Sequence, residues 1–219
     1  MRNIILTAVM AVCCVFPALS KKIFLAGDSH VAGKIYPEKM GELLRENSPE
    51  NEFAWWGKNG AGYYTYNDTP EYMDTIYDFA PDILVVHLGT NDCYTRGHFD
   101  EAKFTDDVDI FCHNVKENLP DCRIVFVTPF ENKLRDKKNR KGRGPVNPHN
   151  RTCAADLSAY SHSHDDIFVI DNNADAGMMF LKGKNLIRPD KVHLTEKGYE
   201  ILASQVTEKL LEIEPLWEE

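Results

Sequence analysis

The sequence predicts a three-layer α/β/α domain built on a five-stranded parallel sheet, and two observations carry that expectation. Short, near-continuous apolar runs rich in β-branched residues alternate with longer amphipathic segments, the pattern of strands covered on both faces and joined by helical crossovers. The residues with chemical capacity directly follow strands or open the last helix, at the edge where open sheets of this kind gather their functional groups.

The elements follow in order. Ile23-Phe24-Leu25-Ala26 is the first strand, leading into a helix-like stretch from Lys34 to Glu46. Phe53-Ala54-Trp55-Trp56 is the second, followed by a helix from Pro70 to Phe79, and Ile83 to Leu88 the third, followed by a helix from Phe99 to Asn118. Ile124 to Val127 and Ile167 to Ile170 complete the sheet, with helices from Pro148 to Tyr160 and from Glu196 to Ile213. Right-handed crossovers place these helices on both faces.

The first 20 residues have the three-part layout of a secretory leader: Arg2, an apolar stretch from Ile4 to Phe16, then Pro17-Ala18-Leu19-Ser20. Cleavage after Ser20 would leave one domain over residues 21–219. The apolar stretch falls short of the roughly 20 residues a spanning helix needs, so no stable membrane anchor is expected. With 34 acidic residues against 25 basic ones and a net charge of −9, the chain is a poor partner for nucleic acid or anionic membranes.

Four cysteines follow the leader, Cys93, Cys112, Cys122 and Cys153, without the Cys-x-x-Cys spacing of a zinc or thioredoxin-type site. Export permits oxidation. Three pairings are open beside buried free thiols, and the expectation favours Cys112 with Cys122, bridging a helix end and the next strand.

"GDSHVAGK", residues 27–34, resembles a phosphate cradle only superficially. A P-loop needs four residues between its first glycine and the Gly-Lys pair, then Ser or Thr for magnesium; here five residues separate Gly27 from Gly33, and Ile35 follows Lys34. That leaves Ser29 as a nucleophile. A serine hydroxyl needs a base to take its proton and a third group to orient the base, and Asp190-Lys191-Val192-His193 supplies both on one loop. A turn there lets Asp190 accept from Nδ1 of His193 while Nε2 faces Ser29. An imidazole with an ordinary pKa of about 6.5 can take and return a proton at neutral pH. The oxyanion formed on an ester carbonyl needs donors: the candidates are the N–H of Ser29, the N–H of Gly60 or alternatively Gly62, and the side-chain amide of Asn91.

Taken together, "GDSH", "NGAG" at 59–62, "GTND" at 89–92 and "RPDKVHLTEKGY" at 188–199 resemble the motifs of the SGNH, or GDSL-type, hydrolase superfamily, in the family's order. The resemblance implies a flavodoxin-like sheet of order 2-1-3-4-5, Ser29 as nucleophile, Gly60 and Asn91 beside it in the oxyanion hole, Asp190 as orienting acid, His193 as base, and neither metal nor cofactor. His30, where lipolytic members commonly have leucine, and the Asn-Gly-Ala-Gly loop are similar to the branch that deacetylates carbohydrates. The expected substrate is therefore an acetylated carbohydrate or other short acyl ester, with a lipolytic esterase or thioesterase acting on longer acyl chains as the alternative and a non-catalytic carbohydrate-binding protein as a third reading.

The remaining motifs receive simpler expectations. His30 either packs beneath the site or touches substrate. Tyr63, Tyr64 and Tyr66 add aromatic surface by the second loop, where sugar stacking competes with core packing, and Gly62 and Tyr63 are carried as substrate-contact candidates. Trp55 and Trp56 point to opposite sides of their strand. His87 is a hydrogen-bonded core histidine, the acids of 105–109 an exposed helix face whose spacing would also allow a cation-binding edge, and His162-Ser163-His164-Asp165-Asp166 a solvated helix end. The basic run from Glu131 to Arg151 is a solvated loop or an anion-contacting lid.

Overall fold

In a computed structural model, the structure describes residues 20–94, 99–130, 148–174 and 185–213. Five strands, β1 (Lys22–Gly27), β2 (Glu52–Gly57), β3 (Ile83–His87), β4 (Arg123–Val127) and β5 (Ile167–Ile170), form one parallel sheet in the order β2-β1-β3-β4-β5. The helices are α1 (Ser29–Ala32), α2 (Ile35–Asn47), α3 (Tyr63–Asp68), α4 (Pro70–Phe79), α5 (Thr90–Tyr94), α6 (Glu101–Asn118), α7 (Pro148–Ser161) and α8 (Glu196–Ile213). None of the described helices is long and apolar enough to cross a membrane. The predicted sheet, its order and the five long helices are all present; α1, α3 and α5 are additional.

The period-two alternation of a strand sorts the core into two layers. Ile23, Leu25, Ile83, Val85, Val125 and Val127 face the layer under α2 and α8; Phe24, Ala26, Leu84, Val86, Ile124 and Phe126 face the layer under α3, α4, α6 and α7. Tyr36, Met40 and Leu44 recur every four residues along α2 and are at most 2% exposed, the burial of Met40 and of Leu44 each contributing about 1.5–3 kcal/mol. Trp55 packs against the first layer and Trp56 against the second, where its ring lies 4.5 Å from Tyr72 and 5.8 Å from Tyr66.

Local chemistry sets the element ends. Asp28 caps α1 by accepting from the His30 N–H, Asp100 caps α6 through the Lys103 N–H, and Pro70 occupies the first turn of α4, where its missing N–H costs nothing.

Three expectations are corrected. Cys112 and Cys122 are not paired: the disulfide joins Cys93 to Cys153, and the other two are buried thiols whose pKa burial pushes up to about 12. Cys112 sits six residues before the end of α6, roughly 9 Å along the helix axis from it, so it faces the core and not the following strand. The acids of 105–109 are not uniformly exposed: Asp107 is buried, holds Lys103 in a 2.8 Å ion pair, and its carbonyl accepts from the Asn67 amide. His87 is buried as expected but both ring nitrogens lack a hydrogen-bond partner among the described residues, and burial lowers its pKa to about 3. The segment ahead of β5 does follow expectation: His162, Ser163 and Asp165 are exposed, and the half-exposed His164 stacks 4.3 Å from Tyr160. Most of the basic run, residues 131–147, lies outside the described residues, as does the segment up to residue 19 where a leader is expected.

Candidate active site

β1 ends where the chain must turn sharply beside β3. A Cβ on Gly27 would sit 2.3 Å from the Val31 side chain and 2.9 Å from the His87 carbonyl, so only glycine fits. The Tyr66 hydroxyl clamps this residue from the other face, accepting from the Gly27 N–H and donating to its carbonyl, both at 3.0 Å. Ser29 follows as the first residue of α1.

The partners of Ser29 arrive from the far end of the chain. An antiparallel bridge between Ile187 and Leu194 and a 2.7 Å bond from the Arg188 N–H to the His193 carbonyl pinch residues 187–194 into a tight loop. Lys191 turns the corner with φ of 70°, a left-handed conformation that costs a non-glycine residue energy and is found where function holds the backbone. Asp190 Oδ1 accepts from the Val192 and His193 N–H groups, both at 2.9 Å, and its Oδ2 lies 3.0 Å from His193 Nδ1. His193 Nε2 then lies 2.9 Å from Ser29 Oγ. Burial pushes the Asp190 pKa up, but the two backbone N–H bonds and the imidazole outweigh it and hold the carboxyl below its usual range. It is therefore an anion at neutral pH, suited to fix the Nδ1–H tautomer of His193 and to stabilise an imidazolium.

A cleft of about 440 Å³ opens over Ser29 and His193, lined also by Asn59, Gly60, Thr90, Asn91, Arg188, Val192 and Tyr199. Gly60 has φ of +79° with open space where a Cβ would stand. Neither its N–H nor that of Ser29 has an acceptor among the described residues, which leaves two donors for a developing negative charge. The Asn91 amide donates to the Ala61 carbonyl at 2.8 Å and, more weakly, to Asp28 Oδ2 at 3.3 Å. Asn91 thus lines the cleft with its amide already engaged.

Two buried carboxylates brace this wall. Burial raises the Asp28 pKa to about 7, against the His30 N–H bond and with help from the Asp92 charge; burial likewise raises Asp92 to about 6. Asp92 Oδ1 accepts the Tyr63 N–H at 2.9 Å, tying α5 to α3.

The three substrate-contact candidates do not line the cleft. His30 is 1% exposed, with Nδ1 3.0 Å from the Tyr199 hydroxyl and its ring 5.4 Å from that of His193. Burial, then His87 and His193, push its pKa well down, so it forms a neutral floor beneath the imidazole. Tyr63 is fully buried among Phe104, Phe111 and Phe126. Gly62 is the N-cap of α3 and lies so close to Asp92 that an added Cβ would meet the carboxylate at 2.4 Å; its N–H is bonded to Thr65 Oγ1. Of the two second-loop glycines only Gly60 borders the cleft. Sequence reasoning passed over Arg188 and Tyr199 as site residues, although both stand within the motif that supplied Asp190 and His193.

A sequence profile of the GDSL-like lipase/acylhydrolase family matches residues 25–201. No curated protein matches the chain by sequence. Among solved structures, a candidate GDSL-like lipase from Parabacteroides merdae is 20% identical with a TM-score of 0.69, over 87% of this chain and 96% of that one. A catalytic variant of the acetylxylan esterase Axe2 from Geobacillus stearothermophilus is 16% identical with a TM-score of 0.69, over 86% and 93%. A lipase/acylhydrolase from Enterococcus faecalis is 17% identical with a TM-score of 0.64, over 87% and 95%. At such identities the likeness speaks for the fold.

Proposed function

The chain belongs to the GDSL-like lipase/acylhydrolase family and is a carboxylic ester hydrolase, and from that premise we propose that it is an exported serine esterase removing O-acetyl groups from carbohydrate. The observation that carries the mechanism is the continuous hydrogen-bonded chain from Ser29 Oγ through His193 to Asp190, facing an open cleft. Ser29 Oγ attacks the acetyl carbonyl as His193 Nε2 takes its proton. The N–H groups of Ser29 and Gly60, joined by the Asn91 amide, hold the oxyanion. The imidazolium then protonates the departing sugar oxygen, and the neutral imidazole takes a proton from water, which attacks the acetyl-enzyme and releases acetate and Ser29.

The cleft supports a short acyl group. Its volume is at the lower end of small-molecule sites, and its wall is formed by Asn59, Thr90, Asn91 and Arg188, with Val192 and Tyr199 the larger apolar surfaces. A long acyl chain would need an apolar channel to recover its transfer free energy of about 0.8 kcal/mol per methylene. The acetylxylan esterase among the structural neighbours accords with this reading, and the leader-like residues 1–20 accord with export. The test compares acetyl with octanoyl esters for the native enzyme and Ser29→Ala. Preference for octanoyl would reject the acetyl pocket, and near-native turnover by Ser29→Ala would reject the nucleophile.

A further inference from the structure

Among the described residues lining the cleft, Arg188 alone carries a permanent charge. Its guanidinium has no carboxylate partner among the described residues, in a chain where acids outnumber bases 34 to 25. The nearest acid in sequence is unavailable to it: Asp190 spends Oδ1 on two backbone N–H groups and Oδ2 on His193. Nor is the residue loosely placed. Its N–H donates to the His193 carbonyl at 2.7 Å and its own carbonyl accepts from the Lys191 N–H at 2.9 Å, so the turn that presents the acid and base also sets the root of this side chain. The guanidinium carbon lies 5.9 Å from the centre of the Tyr199 ring, an aromatic face that favours a cation. Tyr199 is in turn held by the buried His30 Nδ1 at 3.0 Å.

We propose that Arg188 is a specificity-determining residue that binds a carboxylate on the sugar carrying the acetyl group, so that the preferred substrates are acetylated acidic carbohydrates. The proposal rests on the esterase reading above and narrows its substrate class. A guanidinium without a carboxylate partner among the described residues offers a fork of N–H donors matched to a carboxylate. Its position beside His193 puts that carboxylate within the same sugar or its neighbour. Asp190, the anion on the same turn, is committed to His193 and two backbone N–H groups, and at physiological salt charges beyond about 8 Å are largely screened.

The test uses a matched pair: a mono-O-acetylated methyl glucuronoside and its carboxyl-reduced counterpart, the acetylated methyl glucoside. The native enzyme is expected to favour the acid by 10-fold or more in kcat/KM, chiefly through KM, with the preference shrinking as salt rises. Arg188→Gln should bring the ratio to near one and Arg188→Glu should invert it, while circular dichroism shows both variants folded. Equal turnover of the two sugars by the native enzyme, or the same ratio in all three proteins, overturns the carboxylate site and leaves the acetylesterase reading intact. Hydrolysis of 4-nitrophenyl acetate with neither sugar cleaved overturns both.

Discussion

Cys93 is bonded to Cys153 across 60 positions of sequence, so α5, the helix that carries Asn91, is tied covalently to α7. The link does more than add stability. Asn91 contributes to the cleft only while α5 keeps its place against α3 through the Asp92 contact to the Tyr63 N–H, and the disulfide holds α5 from its other side.

Reduction, or Cys93→Ser with Cys153→Ser, should therefore act on both fold and rate. Closing a loop of this length is worth roughly 4 kcal/mol in the chain-entropy account, less where the reduced chain keeps structure. The urea midpoint should fall, and under conditions where the variant remains folded kcat should drop more than KM rises. An unchanged midpoint would show that the link is dispensable.

The architecture was legible because it rests on periodicity: β1, β3 and β4 are apolar on both faces, and α2, α6 and α8 repeat their buried residues at helical spacing. The candidate nucleophile, acid and base were legible because Ser29 stands in a short motif at the start of α1 and Asp190 and His193 in another just ahead of α8. What was not legible depends on neighbours distant in sequence. α3 and α5 are 6 and 5 residues long, too short for a periodic signal. The cysteine pairing follows from α5 lying beside α7, and the burial of His30 and Tyr63 from helices packed over them. Arg188 had a signal, a base two residues before the acid, but only the folded loop shows that it has no carboxylate partner among the described residues.

Asp190→Asn should keep the loop, since the amide oxygen can still accept from the Val192 and His193 N–H groups. Its NH2 would face Nδ1 and favour the wrong tautomer. The expected loss is roughly 10³–10⁴-fold in kcat at neutral pH, by analogy with such replacements in serine hydrolases. Steady-state kinetics on an acetyl ester checks this, and a loss under tenfold would remove Asp190 from the mechanism.

The buried carboxyl of Asp28 makes stability depend on pH with a definite sign. Its folded pKa, raised to about 7 by burial, lies above the unfolded value of 3.8. Its contribution is fully present below the unfolded value and is lost as pH rises through about 7. A shift of this size corresponds to an upper bound on the order of 4 kcal/mol. Asp92, raised to about 6, acts in the same direction. Asp28→Asn retains an oxygen to cap His30 but no longer titrates. Urea unfolding at about pH 5, 6, 7 and 8 should show the native protein losing stability over this range faster than the variant. Parallel curves would contradict the assignment.

Gly60 and Gly62 separate turn conformation from packing, two residues apart. Alanine at position 60 would meet no neighbour within 4 Å, yet φ there is +79°, a conformation costing an L-residue about 1–2 kcal/mol. Relief of that strain by rotation would turn the N–H away from the cleft, so Gly60→Ala should lower stability modestly and kcat by roughly 100-fold, the effect of losing one oxyanion donor. Alanine at position 62 would instead drive its Cβ to 2.4 Å from Asp92. Gly62→Ala should therefore cost more stability, about 2–3 kcal/mol or more from overpacking, and should disturb activity only through displacement of α5. Comparing the two by urea unfolding and by kcat decides the matter. If Gly60→Ala retains native kcat, the second loop supplies no donor to the oxyanion.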